Sequence, residues 1–146
     1  MAESPLNSLD CGGYRPVHRA VLSDDLKLCE RLVIDGALLN ASTEDGEGIL
    51  SLACRALSES RLEVWLPQLL NWGAEIIDRD ARGDTALHVA LREQKLKAVQ
   101  ILMAAGADPL LKNAQGERPV DLVATLSLPA PSAQEFVLAL QRKSLR

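Results

Sequence analysis

Seven of the nine glycines fall into two interlocked series, and no other feature of this 146-residue chain restricts its fold as strongly. Gly13, Gly46, Gly83 and Gly116 stand 33, 37 and 33 residues apart. Gly36, Gly73 and Gly106, each followed by alanine, stand 37 and 33 residues apart. The step from the first series to the second is 23 residues from Gly13 and from Gly83, but 27 from Gly46. One four-residue insertion between Gly46 and Gly73 reconciles every interval, and "ALSESRLE", around Leu57 to Leu62, is where it falls. The chain therefore reads as four copies of one unit, at about 10–42, 43–79, 80–112 and 113–146. A unit this small cannot bury an apolar face alone, so the copies must stack on their neighbours.

Local signals give each copy its elements. Pro16 and Pro119 stand where a helix begins, a position that needs no N–H partner. Thr85, just before Ala86, offers a hydroxyl as a helix cap. Leu96, Val99, Leu102 and Met103 follow at i, i+3, i+6 and i+7 and form one apolar face. Gly106 then supplies the left-handed residue that commonly ends a helix. Each copy is predicted as turn, helix, turn, helix.

The third copy, "DARGDTALHVALREQKLKAVQILMAAGAD", resembles the ankyrin repeat, with its D-x-x-G-x-T-P-L-H-x-A opening and its closing G-A-D. The first copy keeps "DCGGYRPVHRA" and "GALLNA"; the fourth opens "NAQGERPVDLV"; the second, "TEDGEGILSLA", departs furthest. The resemblance implies an all-α ankyrin-repeat solenoid of four helix-turn-helix repeats, with short β-turn or hairpin tips. At the C-terminal end Pro129 and Pro131 interrupt the pattern, and Ser132 stands three residues before Glu135 as a capping box. A C-terminal capping helix is expected there, with Phe136, Val137 and Leu140 towards the stack and Gln134, Gln141, Arg142 and Lys143 towards solvent. At the other end only Leu6 and Leu9 offer apolar cover.

Composition narrows the function. Aromatic residues are 3% of the chain, so the core must be Leu, Ala, Val and Ile, which suits close helix packing. A net charge of −4 gives no support for binding nucleic acid through phosphates. No apolar run approaches the ~18 residues a membrane span needs. "MAESPLNSLD" has neither the basic start nor the apolar stretch of a signal peptide. Cys11, Cys29 and Cys54 are odd in number and widely spaced, which fits neither a disulfide framework nor a zinc site. Three free thiols in a reducing cytoplasmic or nuclear compartment are expected, in a metal-free monomer with no cofactor.

Catalytic chemistry finds no anchor. His18 and His88 share one register position, where the resemblance implies a scaffold histidine linking neighbouring turns; Ser51 and Asp121 replace it in the other copies. No glycine-rich phosphate loop is present, and Asp24-Asp25 reads as a solvated turn. The chain is read as no enzyme. Trp65 aligns with Ala98 and is expected inside; Trp72 aligns with Asp35 and Ala105 and is expected to be more exposed, as an interface anchor or part of the insertion.

The resemblance implies a binding module that takes a partner protein in its concave groove and on its turn tips. In register, the tips carry Glu44, then Asp45 and Arg82, then Tyr14, Glu47, Asp84 and Glu117, while Arg55 and Arg92 recur deeper, at the end of the first helix. These residues with Trp72 are the candidate contacts, and the acidic tips favour a basic partner segment. Two alternatives stand beside this reading. One is a kinase inhibitor resembling the small four-repeat cyclin-dependent kinase inhibitors, although their second repeat has a short first helix. The other is a regulatory domain of a larger protein.

Overall fold

The computed structural model describes residues 9–77, 79–125 and 130–141, and among these every regular element is a helix. The helices come in pairs: α1 (Pro16–Leu22) with α2 (Leu26–Ile34), α3 (Ile49–Ala56) with α4 (Glu59–Asn71), α5 (Ala86–Arg92) with α6 (Leu96–Ala104), and α7 (Pro119–Thr125) with α8 (Ala130–Gln141). The first helices stack in the order α1, α3, α5, α7, and a second layer runs α4, α6, α8. Leu52, Leu62, Trp65, Leu66, Leu69, Leu87, Leu91 and Leu102 fill the space between the layers and are fully buried.

The glycine register has a backbone cause. Gly13, Gly46, Gly83 and Gly116 turn the tips at φ between 76° and 84°, and Gly36, Gly73 and Gly106 end the second helices at φ between 99° and 104°. At Gly83 the constraint is double. Its φ of 76° is left-handed, and an added Cβ would lie 2.7 Å from the Ala114 backbone nitrogen of the next tip. Side chains at the tips supply further turn chemistry. Asp10, Asp80 and Asn113 each accept two backbone N–H groups two and four residues on, at 2.8–3.0 Å. Thr43 does the same once, to Glu47 N at 3.1 Å.

The insertion lengthens the second helix of its copy. α4 has 13 residues where α2 and α6 have 9. Counting back from Gly73 aligns 63–71 with Leu96–Ala104, so Glu59–Leu62 is the added turn. It reaches both neighbours. Arg61 Nε donates to Asp24 at 2.9 Å, and Glu59 accepts the Lys97 backbone N–H at 3.2 Å. Asp24 is thereby more than a solvated turn: its carboxylate also accepts Trp65 Nε1–H at 2.6 Å. That bond, with Arg61 beside it, holds the Asp24 carboxyl below its usual pKa. Trp65 is buried, as its alignment with Ala98 predicts.

α8 differs from its expectation in detail. It starts at Ala130, so Ser132 lies inside the helix rather than at its cap. Phe136, Ala139 and Leu140 are buried, whereas Val137 is exposed, because one residue past Phe136 is a 100° rotation away from the buried stripe. Gln134 is exposed as expected. Gln141, Arg142, Lys143 and Leu6 fall outside the described side chains, and Leu9 is exposed.

Candidate partner-binding cleft

The spacing of eight residues from Glu47 to Arg55, and from Asp84 to Arg92, carries the chain from a tip to the last turn of the helix that follows. The two side chains of each pair therefore meet within one copy. Arg55 grips Glu47 with Nε and Nη2, both at 2.9 Å, and the carboxylate beside it raises the guanidinium pKa. Arg92 binds Asp84 through Nη1 and reaches Glu117 of the next tip through Nη2 at 3.0 Å. Asn113 closes this group, donating to Asp84 Oδ1 at 2.8 Å and Glu117 Oε1 at 3.0 Å.

Three expectations change accordingly. Asp84 is buried rather than displayed at a tip, because Arg92 and Asn113 satisfy it from inside. Glu47 and Glu117 are half-buried and already paired. Arg55 and Arg92 are committed to acids of this chain, so neither stands unpaired to take an acid or carbonyl of a partner.

The tips are stitched together by backbone bonds at two of three junctions. Glu44 N–H donates to Gly13 O at 2.8 Å, and Ala114 N–H donates to Arg82 O at 3.0 Å. Ala81 holds the same register position between the second and third tips, and among the described residues its N–H makes no such bond. At that junction a cleft of about 400 Å³ opens, lined by Tyr14, Asp45, Glu47, Arg55, Asp80, Ala81, Arg82, Asp84, Val89, Arg92 and Glu93.

Seven of the ten residues singled out in the sequence thus surround one concavity: Tyr14, Asp45, Glu47, Arg55, Arg82, Asp84 and Arg92. Glu44 is exposed beside it, over Gly13. Glu117 sits one tip further on. Trp72 is elsewhere and only half exposed, against an apolar hollow with Val33, Ala37 and Leu39. Sequence reasoning missed Asp80, Ala81, Val89 and Glu93. Asp80 begins the D-x-x-G motif and was legible as a turn residue; Glu93 follows Arg92 directly, but nothing in its local pattern aims it at a tip.

The charges in the cleft divide into used and unused. Glu47, Arg55, Asp84 and Arg92 are paired, and Asp80 accepts two backbone N–H groups. Asp45, Arg82 and Glu93 form no ion pair among the described residues, and all three are exposed. Tyr14 carries Arg19 over its ring at 4.7 Å, and Arg19 is held there by Asp10 at 2.5 Å. That pairing keeps the Asp10 carboxyl far below its usual pKa.

The histidines are structural. His88 is buried; its Nδ1 accepts Thr85 N–H at 3.1 Å, and its Nε2 donates across the junction to Glu117 O at 2.9 Å. His18 accepts Arg15 N–H in the same way, but its buried Nε2 faces the Ala41 backbone without a hydrogen bond of ordinary geometry. Burial pushes the Cys29 thiol up to about 11 and the Cys54 thiol up to about 12, so neither is a ready thiolate. Cys11 is exposed. Among the described residues no cluster of His, Cys, Asp and Glu could hold a metal ion, and no helix is long and apolar enough to cross a membrane.

A family model described as ankyrin repeats, three copies, matches residues 17–113. The chain belongs to the ankyrin repeat family. It is 30% identical over 111 residues to human SH3 and multiple ankyrin repeat domains protein 2, covering 75% of this chain and 6% of that protein. It is 32% identical over 132 residues to mouse ankyrin repeat and SOCS box protein 9, covering 90% of this chain and 42% of the relative. With mouse NF-kappa-B inhibitor delta the identity is 27% over 143 residues, covering 81% and 44%. The chain thus spans less than half the length of these relatives. Ankyrin repeat proteins are generally protein–protein interaction modules built on a non-catalytic fold.

Proposed function

We propose that this chain is a non-enzymatic binding module that holds a partner protein at the cleft between its second and third tips. The observation carrying this reading is the coincidence, at one junction, of an unstitched tip, an open concavity and three unpaired exposed charges. Elsewhere along the tips Asp10, Thr43, Asn113 and Glu117 are taken up by bonds within the fold. The Cys29 and Cys54 thiols are buried with raised pKa values and the two histidines serve the scaffold, so none of these four is a ready nucleophile or base. Three unpaired cysteines fit a reducing intracellular compartment, and a monomer that presents its tips to another protein rather than to nucleic acid or membrane. The four-copy division at about 10–42, 43–79, 80–112 and 113–146, closed by α8, is the frame for this reading.

A cyclin-dependent kinase inhibitor is less favoured. The resemblance would imply a shortened first helix in the second copy, and α3 runs a full eight residues. A regulatory domain of a larger protein uses the same cleft and needs no separate site.

Photocrosslinking tests the location. A benzophenone amino acid at exposed Ala81 should give discrete adducts in cell extract, and the same group at exposed Lys27 on α2 should not. Equal adducts at both positions, or adducts only at Lys27, would move the contact off the cleft.

A further inference from the structure

We propose that the cleft recognises an arginine side chain on an extended segment of the partner, the guanidinium resting on Tyr14 between Asp45 and Glu93 while a backbone carbonyl of that segment accepts the Ala81 N–H. This inference rests on the proposed binding role of the cleft and adds the chemistry of what binds there.

Two independent features carry it. The first is charge. The cleft holds five carboxylates (Asp45, Glu47, Asp80, Asp84 and Glu93) against three arginines, Arg55, Arg82 and Arg92. Two of those arginines are neutralised by Glu47 and Asp84. What remains outside an ion pair is Asp45, Asp80 and Glu93 against Arg82 alone; Asp80 is taken up by two backbone N–H groups, and the cleft keeps a net negative charge that an entering cation offsets. Tyr14 lines the cleft with an aromatic ring; Arg19 covers one face of it at 4.7 Å, so the seat proposed here is the other face. A planar guanidinium can lie on such a ring and bond carboxylates in its own plane at the same time, which a lysine ammonium cannot do.

The second feature is the backbone. Glu44 N and Ala114 N, which share the register position of Ala81 N, donate to Gly13 O and Arg82 O, whereas the Ala81 N–H has no partner among the described residues. At this junction a Cβ on Gly46 would lie 3.4 Å from Ala81 N, against 2.7 Å for the corresponding approach of Gly83 to Ala114 N. The second and third tips are therefore set further apart than the third and fourth, and Ala81 at this junction is exposed. A segment lying across the tips has both a backbone hook and a side-chain seat. Arg82 stands beside them, placed to meet an acidic group next to the arginine on the same segment.

The probe is N-acetyl-arginine methylamide, titrated into ¹⁵N-labelled full chain, with the capped citrulline and capped lysine as comparators. Arginine should shift the amides of Asp45, Ala81, Arg82 and Glu93 at millimolar concentration. Citrulline has the same shape without the charge and should leave them in place, and lysine should bind roughly threefold or more weakly. Asp45→Asn and Glu93→Gln, both at exposed positions, should each weaken the arginine complex by about three- to tenfold with an unchanged thermal melt. Equal shifts from citrulline, shifts confined to other amides, or full affinity in both variants would overturn the proposal. If arginine fails here while the Ala81 crosslink persists, the cleft binds a different chemistry. If arginine binds and the crosslink is absent, the binding reading is the one that falls.

Discussion

The second and third copies solve the same packing problem by opposite means. The third keeps the full motif. Thr85 and His88 lock the start of α5, and His88, Arg92, Asp84 and Asn113 tie that copy to the fourth tip. The second has Gly48 and Ser51 in those places, and α3 begins with no side-chain cap bond. Its support comes from the outer layer. α4 is longer by a turn, buries Trp65, and reaches Asp24 on one side and Lys97 on the other. Lys95 of the third copy closes the end of α3, its Nζ donating to Cys54 O at 2.7 Å and Leu57 O at 2.5 Å. A repeat that loses its polar motif can thus be held by its neighbours. The junction where the two solutions meet is the one whose tips are left unstitched.

The largest test of this comparison is Trp65→Ala. It removes a fully buried ring and leaves Asp24 without its indole donor, so the cost should be about 3–5 kcal/mol by urea denaturation. His88→Ala leaves the Glu117 carbonyl and the Thr85 N–H without their ring partner and should cost about 1–3 kcal/mol. If His88→Ala proves the more damaging, copy two does not lean on α4 as argued.

A pair of glycines sharpens the tips. Gly116 has φ 78° with nothing within 4 Å of an added Cβ, so Gly116→Ala should cost only the left-handed backbone, about 1–2 kcal/mol. Gly83 has the same backbone and the contact with Ala114 N, so Gly83→Ala should lower the melting temperature at least twice as far. Equal shifts would mean the tips are free to part.

Lys95→Met keeps the aliphatic stem and removes the charge at the end of α3. A loss of about 1 kcal/mol is expected, shrinking in high salt. No loss would show that copy two needs no cap from its neighbour.

The smallest effect contrasts His18 with its better-bonded counterpart. Burial lowers the His18 pKa below 6.5. The unfolded chain then takes up that proton first as pH falls. Folded stability should therefore be fully present above about pH 6.5 and decline as pH drops through that value. Nearby Arg15 acts in the same direction as burial, while Glu47 and the Ala41 backbone oppose it. In melting curves between about pH 7.5 and 5.5, His18→Gln should flatten the slope. An unchanged slope would assign the pH dependence to other groups.

Much of the architecture was present in the chain as one-dimensional information. A left-handed glycine, a proline at a helix start and an apolar face at helical spacing each act within a few residues, so Gly83, Pro119 and Val99 declare their roles locally. The insertion was countable for the same reason. The register also brought seven of ten candidate residues to one concavity, because equal positions in stacked copies must be neighbours. Its limit shows at Asp84, Glu47 and Arg92. Whether an acid at a tip faces solvent or an arginine depends on a partner eight residues on, or one copy away, and burial settles it. Only the tertiary structure decided that Trp65 would find Asp24, that Lys95 would cap another copy's helix, and that the tips would part at Ala81. Each of those depends on distances between copies, which the spacing within a copy does not contain.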